Sequence, residues 1–205
     1  MRFGPKAAAA LATHGYFIHH DWCEVHDRLR WDASALLDEY AAPATVGLHK
    51  VSSARKSTAL DLLDDDIIVK MQPSLRKLVQ KIELMRTEIT DATQRHLVSE
   101  TELQLLRYAP GGYYARHVDD GLGTIDRPLR RSLSFLYYMT PPNWSDDDGG
   151  YLRMYPHLNG ESIDIAPKAG SLVLFDSAIP HEVLITKRER LVCVGWYLCA
   201  RNRNN

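Results

Sequence analysis

Residues 113–120 read Tyr-Tyr-Ala-Arg-His-Val-Asp-Asp, and this stretch organises the interpretation of the whole chain. It has the character of a β-strand, in which successive side chains point to opposite faces, so His117 and Asp119 point to the same side. One imidazole and one carboxylate on a shared face are two-thirds of a 2-His-1-carboxylate triad, the arrangement that holds Fe(II) and leaves coordination positions open for oxygen. The pair alone is weak support, because surface strands carry the same spacing by chance. The rest of the sequence therefore has to supply the third ligand.

The composition is that of an ordinary globular protein. The chain has 205 residues, 45% hydrophobic and 25% charged, which predicts a single domain over residues 1–205 with a sizeable core. The net charge of −1 gives no basic surface for nucleic acid, and no apolar stretch approaches the length that spans a bilayer, so we expect neither as a partner. The three cysteines are too few for a disulfide framework and favour a reducing, cytoplasmic location. The oligomeric state is not indicated by the sequence.

Residues 1–98 read mainly as helical support for the second half of the chain. The predicted helices cover residues 6–13, residues 21–40 and a long segment from residue 73 onward. Asp21 has the character of an N-cap, and Glu24 three residues later completes a capping box. In the long helix, apolar residues recur at steps of three and four, which is a helical stripe. Residues 44–51 are predicted to form a strand, and the polar segment 52–66 a loop that contains a helical turn.

Residues 99–200 switch to short strand-like runs separated by turn residues such as Pro110-Gly111-Gly112 and Asp148-Gly149-Gly150. The predicted strands are residues 102–108, 114–118, 131–139, 150–155, 162–165, 171–175, 181–186 and 190–199. Eight short strands after several helices predict an α+β fold that is mainly β. Its core would be a jelly roll (a double-stranded β-helix, cupin-like), with the N-terminal helices packed on one sheet.

His181 is the best candidate for the third ligand, because it opens a predicted strand directly after Ile179-Pro180. The remaining histidines lie in the helical N-terminal part, outside the barrel strands or in a turn: His14, His19, His20, His26, His49, His96 and His157. For each of these, a surface or capping role is the more ordinary interpretation.

The last predicted strand adds a second signal. One of its faces carries Arg190, Val192, Val194, Trp196 and Leu198, so a single arginine stands at the end of an otherwise apolar face. A buried guanidinium needs an anionic partner, and a carboxylate matches its planar fork best. The alternative is a strand-end arginine exposed to water. The position of Arg190, nine residues after His181, makes that alternative less attractive.

His117-x-Asp119, His181 and Arg190, in this order, resemble the Fe(II)- and 2-oxoglutarate-dependent dioxygenases. Within them the chain is most similar to the prolyl 4-hydroxylase group, in particular the branch that contains the oxygen-sensing prolyl hydroxylases and their bacterial relatives. The supporting segments are residues 107–119, 136–139, 149–153, 165–168, 181–183 and 196–197. Together they span residues 102–200, and the helical N-terminal part carries no diagnostic motif.

The resemblance implies a role for each matching residue. The metal ligands would be His117, Asp119 and His181, the co-substrate contacts Arg190, Tyr138 and Tyr108, and the substrate-lining residues Tyr114, Arg116 and Trp196. Arg190 would form a salt bridge with the far carboxylate of 2-oxoglutarate. Val194 departs from the branch, in which a threonine hydroxyl often supports the co-substrate. One charge-assisted hydrogen bond, about 1.5–3 kcal/mol, would therefore be missing.

The implied activity is that of a dioxygenase similar to procollagen-proline 4-dioxygenase. It would use Fe(II), O2 and 2-oxoglutarate to hydroxylate a proline in a protein or peptide, with succinate and CO2 as co-products and ascorbate as an accessory reductant. Two alternatives stay open, namely hydroxylation of a free amino acid or other small molecule, and a non-catalytic metal-binding sensor module. We also expect the segments 52–66 and 120–130 to face the substrate and to change order when it binds.

Overall fold

The computed structural model describes residues 3–23, 27–45, 53–120, 128–157 and 160–201. The helices are α1 (Pro5–His14), α2 (Asp27–Tyr40), α3 (Asp65–Ile68) and α4 (Pro73–Thr93). The strands are β1 (Tyr16–His19), β2 (Ala42–Pro43), β3 (Arg55–Lys56), β4 (Thr58–Asp61), β5 (Leu97–Tyr108), β6 (Tyr113–His117), β7 (Leu129–Tyr138), β8 (Leu152–Met154), β9 (Ile163–Ile165), β10 (Leu172–Asp176), β11 (His181–Val183) and β12 (Arg190–Ala200). Within these ranges, no helix combines the length and apolar character needed to cross a membrane.

The strands form two sheets that face each other across a core. The larger sheet has seven strands in the order β1-β10-β7-β12-β5-β4-β2, and the smaller has five in the order β3-β6-β11-β8-β9. The pairings described are antiparallel. Apolar residues of α1, α2 and α4 pack on the outer face of the larger sheet. The predicted jelly roll with N-terminal helices on one sheet is therefore confirmed.

The central strand β12 shows how alternation builds two cores from one segment. It pairs with β5 on one side and β7 on the other. Leu191, Cys193 and Tyr197 lie in the core beneath the helices. Val192, Val194, Trp196 and Leu198 lie in the core between the sheets. The predicted division of this strand into two faces is correct, because a fully paired strand must alternate its side chains.

Helix α4 supports the larger sheet along the predicted apolar stripe. Its buried residues are Leu75, Leu78, Ile82, Met85 and Ile89. The buried hydroxyl of Tyr197, on the central strand, donates a hydrogen bond to the carbonyl of Ile82 at 2.7 Å. This bond satisfies a phenol that burial would otherwise leave unpaired, and it attaches the middle of the helix to the middle of the sheet.

The predicted start of α2 was wrong. Asp21 lies in a turn, the described part of the helix spans Asp27–Tyr40, and Glu24 lies outside the described residues. The backbone N–H groups of Trp22 and Cys23 donate to the carbonyl of Gly170, at 3.0 and 3.4 Å. These bonds from a distant loop replace the helical pattern, so the capping signal was overridden by tertiary contacts.

The helical turn predicted within the segment 52–66 is present as the start of α3, but the loop predicted for the rest of its described part was wrong. The segment contains β3, β4 and the start of α3, and β4 extends the larger sheet by pairing with β5. The predicted strand over residues 44–51 falls largely outside the described residues, and β2 ends just before it. Strand β1 was not predicted at all. Strands β1, β2 and β3 lie at sheet edges and β4 lies next to β2. These short strands take their hydrogen bonds from neighbouring strands, and local sequence carries no such signal.

Gly195 allows the close packing at the centre of the larger sheet. A Cβ atom there would lie 2.3 Å from Cζ of Phe135 and 2.7 Å from the carbonyl oxygen of Glu102. We predict that Gly195→Ala lowers the free energy of unfolding by about 1–3 kcal/mol, because the added methyl group overpacks the core. Urea denaturation would measure the change, with Ala200→Ser at the exposed end of the same strand as the control. Equal stability of the two variants would show that the sheet accommodates the methyl group without strain.

Candidate metal centre

Strand pairing brings the two histidines together. In the smaller sheet β11 runs antiparallel to β6, and His181 stands directly opposite His117. The centroids of the two imidazole rings are 4.2 Å apart. Asp119 follows two residues after the end of β6, and the three possible ligand atoms all lie within 4.8 Å of one another. Residues separated by more than sixty positions in sequence thus form one compact donor set.

Both imidazoles are held so that the same nitrogen faces the centre. Nδ1 of His117 lies 2.8 Å from the carbonyl oxygen of Ala115, and Nδ1 of His181 lies 2.9 Å from that of Ile179. A carbonyl only accepts, so Nδ1 carries the proton in each ring and Nε2 is left with a free lone pair. This is the arrangement in which a backbone carbonyl fixes the tautomer and orientation of a metal-binding histidine.

Asp119 completes the set although it lies beyond the strand. Its Oδ1 atom lies 3.6 Å from Nε2 of His117, and its Oδ2 atom lies 3.6 Å from Nε2 of His181. The backbone N–H of Asp119 donates to the carbonyl of Ser177 at 3.0 Å. The hydroxyl of Ser134 donates to Oδ2 at 2.7 Å. Asp119 lies beyond the last paired residue of the smaller sheet, and these two hydrogen bonds with Ser177 and Ser134 of the larger sheet and its connection hold it in place.

The electrostatics leave this set ready to bind a cation. Burial by itself would raise the pKa of Asp119, but the adjacent His181 and His117 outweigh it and hold the pKa well below the usual range. Burial lowers the pKa of His181, against the opposing influence of Asp119. At neutral pH the carboxylate is thus ionised and His181 is neutral, which are the protonation states that coordinate a metal. Two imidazole nitrogens and one carboxylate oxygen fit an iron site with open positions.

Aromatic rings line the cavity that leads to this centre. Tyr114 stacks on His117 with ring centroids 3.6 Å apart, and the Arg55 guanidinium lies 4.6 Å from the centroid of the Tyr114 ring. On the opposite wall, the Arg131 guanidinium lies 3.7 Å from the centroid of the Trp196 ring. Tyr114, Arg55 and Trp196 share this cavity with the three candidate ligands. Two aromatic rings that line the cavity, Tyr114 and Trp196, therefore each carry a guanidinium on one face.

Arg190 provides a second feature with the character of a binding site. Its side chain is fully buried, yet it meets no carboxylate among the described residues. Nε donates to the carbonyl of Gly150 at 2.9 Å and Nη2 to the hydroxyl of Tyr138 at 3.5 Å, whereas Nη1 has no partner in the described part of the chain. A buried guanidinium with an unused N–H group is costly unless an anion binds to it. The geometry fits a ligand carboxylate here.

Tyrosines enclose that guanidinium. The rings of Tyr108 and Tyr138 lie 5.0 and 5.1 Å from its central carbon. Burial raises the pKa of Tyr138 although the adjacent Arg190 opposes the shift, so the phenol stays protonated and can donate a hydrogen bond to an anion. Tyr108 also lines the cavity of the candidate ligands, and thereby connects the buried arginine with the metal centre.

Other residues named from the sequence fall in different places. Val194 lines the metal cavity, so an apolar side chain occupies the position where the resemblance led us to look for a hydroxyl. Arg116 is exposed and lies over the Tyr155 ring at 3.7 Å, because it neighbours His117 and so points to the opposite face of β6. Among the described histidines, only His117 and His181 join Asp119.

Ser134, Ser177 and Arg55 were not predicted from the sequence. Ser134 is a buried hydroxyl within the apolar run Leu133-Ser134-Phe135, and that pattern was a usable signal. Ser177 and Arg55 stand in segments without strand or helix signals of their own, and their positions follow from the fold.

Comparison with known proteins agrees with this geometry. Residues 103–198 match the family model described as the 2OG-Fe(II) oxygenase superfamily. The chain carries a 2OG-Fe(II) oxygenase domain. The matched residues include the three candidate ligands and Arg190. The group that the family name implies, Fe(II) with 2-oxoglutarate, fits the donor set and the buried, unpaired guanidinium described above.

Relatives of the oxygenase domain include hydroxylases from distant organisms. The chain is 29% identical over 137 residues to a hypoxia-inducible factor prolyl hydroxylase of Caenorhabditis elegans, covering 64% of this chain and 18% of that protein. It is 28% identical over 138 residues to a PKHD-type hydroxylase of a Picosynechococcus strain, covering 63% of this chain and 60% of that protein. This chain therefore matches less than two-thirds of the length of either relative.

Solved structures resemble this chain over nearly its whole length. A prolyl-4-hydroxylase from Pseudomonas putida has a TM-score of 0.78 at 26% identity, covering 96% of this chain and 98% of that one. A prolyl hydroxylase from Trichoplax adhaerens, in complex with a hypoxia inducible factor peptide fragment, has a TM-score of 0.76 at 21% identity, covering 93% and 86%. At that identity the second likeness supports the fold alone.

The donor set makes a direct prediction about metal binding. We predict that His181→Ala weakens Co(II) binding by more than about a hundredfold, because loss of even an outer-shell partner of a metal ligand costs 10–100-fold. Titration followed by visible absorption would measure the affinity. His157→Ala, which removes an exposed histidine outside the donor set, is the control and should bind as the parent does. Similar affinities for the two variants would place the metal elsewhere.

Proposed function

We propose that the protein is an Fe(II)- and 2-oxoglutarate-dependent dioxygenase that hydroxylates a proline in a protein or peptide. The observation that carries the proposal is the combination of two features in one fold. A 2-His-1-carboxylate donor set opens into an aromatic cavity, and the fully buried Arg190 behind it has an unused donor. Either feature alone is compatible with a purely structural role, whereas together they match the needs of a metal and a dicarboxylate co-substrate.

In this mechanism His117, Asp119 and His181 would hold Fe(II), and Arg190 would bind the far carboxylate of 2-oxoglutarate. When bound, Fe(II) and 2-oxoglutarate would supply the oxidising chemistry that places one atom of O2 in a C–H bond and yields succinate and CO2 as co-products. Tyr138 would donate a second hydrogen bond to the same carboxylate. The apolar walls of the cavity would exclude water, so that the charges within it interact strongly.

The rim of the cavity supports proline as the target. The Tyr114 ring covers His117, and Trp196 forms the opposite wall, so two flat aromatic surfaces flank the way to the metal. Such surfaces suit a compact apolar ring such as that of proline. The names of the prolyl hydroxylases similar to this chain add support for the same target.

The expected cellular setting rests on the relatives and on the cysteines. A protein or peptide substrate is favoured over a free amino acid by the likeness to a hypoxia-inducible factor prolyl hydroxylase, a relative named for a protein target. The unpaired cysteines Cys23, Cys193 and Cys199 favour a reducing, cytoplasmic compartment, in which ascorbate could serve as an accessory reductant.

Of the two segments expected to respond to substrate, residues 121–127 and residue 52 lie outside the described part of the chain.

Arg190 gives a sharp test of co-substrate binding. We predict that Arg190→Ala raises the Kd for 2-oxoglutarate by more than about a hundredfold, because removing one partner of a buried ion pair costs 3–5 kcal/mol. Calorimetric titration of the metal-loaded protein would measure it. Arg190→Lys should recover only part of the affinity, since lysine keeps the charge but loses the planar fork. Co(II) binding should persist in both variants, because the three candidate ligands are untouched.

Arg188→Ala is the matched control for that experiment. Arg188 lies two residues away and is partly exposed, with its guanidinium 3.1 Å from the side-chain oxygen of Asn143. Its removal should leave the 2-oxoglutarate affinity unchanged. If Arg190→Ala bound 2-oxoglutarate as tightly as Arg188→Ala does, another basic residue would hold the co-substrate.

The activity itself can be tested without knowing the target. Proteins from the host cell are incubated with the metal-loaded protein, 2-oxoglutarate and O2, and peptides are then screened by mass spectrometry for the gain of one oxygen atom. We predict that the gain falls on proline residues, is accompanied by succinate, and is absent with His181→Ala. Succinate release without oxygen gain on any peptide would point to a small-molecule substrate instead.

A further inference from the structure

Two serine hydroxyls connect the larger sheet to the candidate metal ligand Asp119. The hydroxyl of Ser134 on β7 donates to Oδ2 of Asp119 at 2.7 Å, and Oγ of Ser177 lies 2.9 Å from Oγ of Ser134. Both serines are almost completely buried. The chain of hydrogen bonds is therefore shielded from water and holds its members firmly.

The direction of these hydrogen bonds follows from the chemistry of the groups. An ionised carboxylate only accepts, so Ser134 must use its single proton on Asp119. Ser177 must then donate its own proton to Ser134. Each hydroxyl thus has one defined orientation, and the chain runs from Ser177 through Ser134 to the carboxylate.

The backbone strengthens the same link. Ser177 follows the end of β10, and its carbonyl accepts the N–H groups of both Asp119 and Asp120 at 3.0 Å. Its own N–H donates to the carbonyl of Ser132 on β7 at 3.2 Å. Because β6 ends at His117, these bonds supply the restraint that the smaller sheet no longer gives to Asp119.

We infer that Ser134, backed by Ser177, is a positioning residue that decides which oxygen of Asp119 binds the metal. The bond from Ser134 uses a lone pair of Oδ2 and weakens that oxygen as a ligand, so Oδ1 is the oxygen favoured for the metal. A carboxylate that offers one oxygen leaves more coordination positions open than one that offers two. The open face needed by a co-substrate and by O2 would thus depend on a serine that touches neither. This inference rests on the metal site of the proposed function.

Removal of the hydroxyl tests the inference through metal binding alone. We expect Ser134→Ala to weaken Co(II) binding by about 10–100-fold, the usual effect of losing a partner behind a ligand. The visible absorption spectrum of the bound Co(II) should also change, because the released carboxylate can then offer both oxygens. Ser134→Thr keeps a hydroxyl and should restore both the parent affinity and the parent spectrum.

Two further variants separate positioning from general stability. Ser171→Ala is the matched control, because Ser171 is equally buried and its hydroxyl donates to the carbonyl of His20 at 3.0 Å, without contact with Asp119. It should lose stability without any change in the Co(II) spectrum. Ser177→Ala leaves the Ser134 bond in place and should shift the affinity in the same direction by less than about tenfold. It also provides the test if Ser134→Ala fails to fold.

The outcomes are distinct. If the parent protein binds no Co(II), or if His181→Ala binds it equally well, the proposed function fails. If the parent binds Co(II) at the donor set but Ser134→Ala, or Ser177→Ala in its place, matches the parent in affinity and spectrum, the positioning role is overturned while the proposed function stands. A loss of stability in Ser134→Ala with an unchanged spectrum would likewise reduce Ser134 to a structural hydrogen bond.

Discussion

Antiparallel pairing of β6 with β11 is the constraint on which the site depends. It sets His117 directly opposite His181, and a shift of one residue would turn one imidazole to the outer face of the sheet. The register is fixed by neighbouring apolar residues that must point into the core between the sheets, such as Val183 and Leu152. Burial of apolar side chains has no chemical specificity, yet through this register it places two nitrogen donors within reach of one ion.

A buried charge accompanies this apolar frame. Arg190 is fully buried in the core between the sheets, where an ion without a partner is expensive. The carbonyl of Gly150 and the hydroxyl of Tyr138 offset only part of that cost, since Nη1 has no partner among the described residues. The larger sheet tolerates the arginine because β12 is secured on both sides by long partners, β5 and β7. Stability elsewhere thus permits an unsatisfied donor where a ligand would bind.

The helices contribute to the site without approaching it. Helix α4 covers the outer face of the larger sheet and is attached to β12 through Tyr197. The rigid sheet then presents Ser134, Val194 and Trp196 towards the metal cavity from its other face. The N-terminal part, which carried no diagnostic motif, therefore acts as the support that keeps one wall of the cavity in place. This division explains why motif and scaffold occupy separate parts of the chain.

The sequence by itself determined the elements that depend on neighbouring residues. The spacing of His117 and Asp119, the alternation that put Arg190 on an apolar face, and the stripe of α4 are short-range patterns that follow from strand and helix periodicity. Only the tertiary structure decided the rest. The bond from Ser134 to Asp119, the pairing of β1 with β10 and of β4 with β5, and the non-helical conformation of Trp22 and Cys23 all depend on hydrogen bonds between residues far apart in sequence. Those bonds come into existence only when the sheets assemble, so no local pattern could have revealed them.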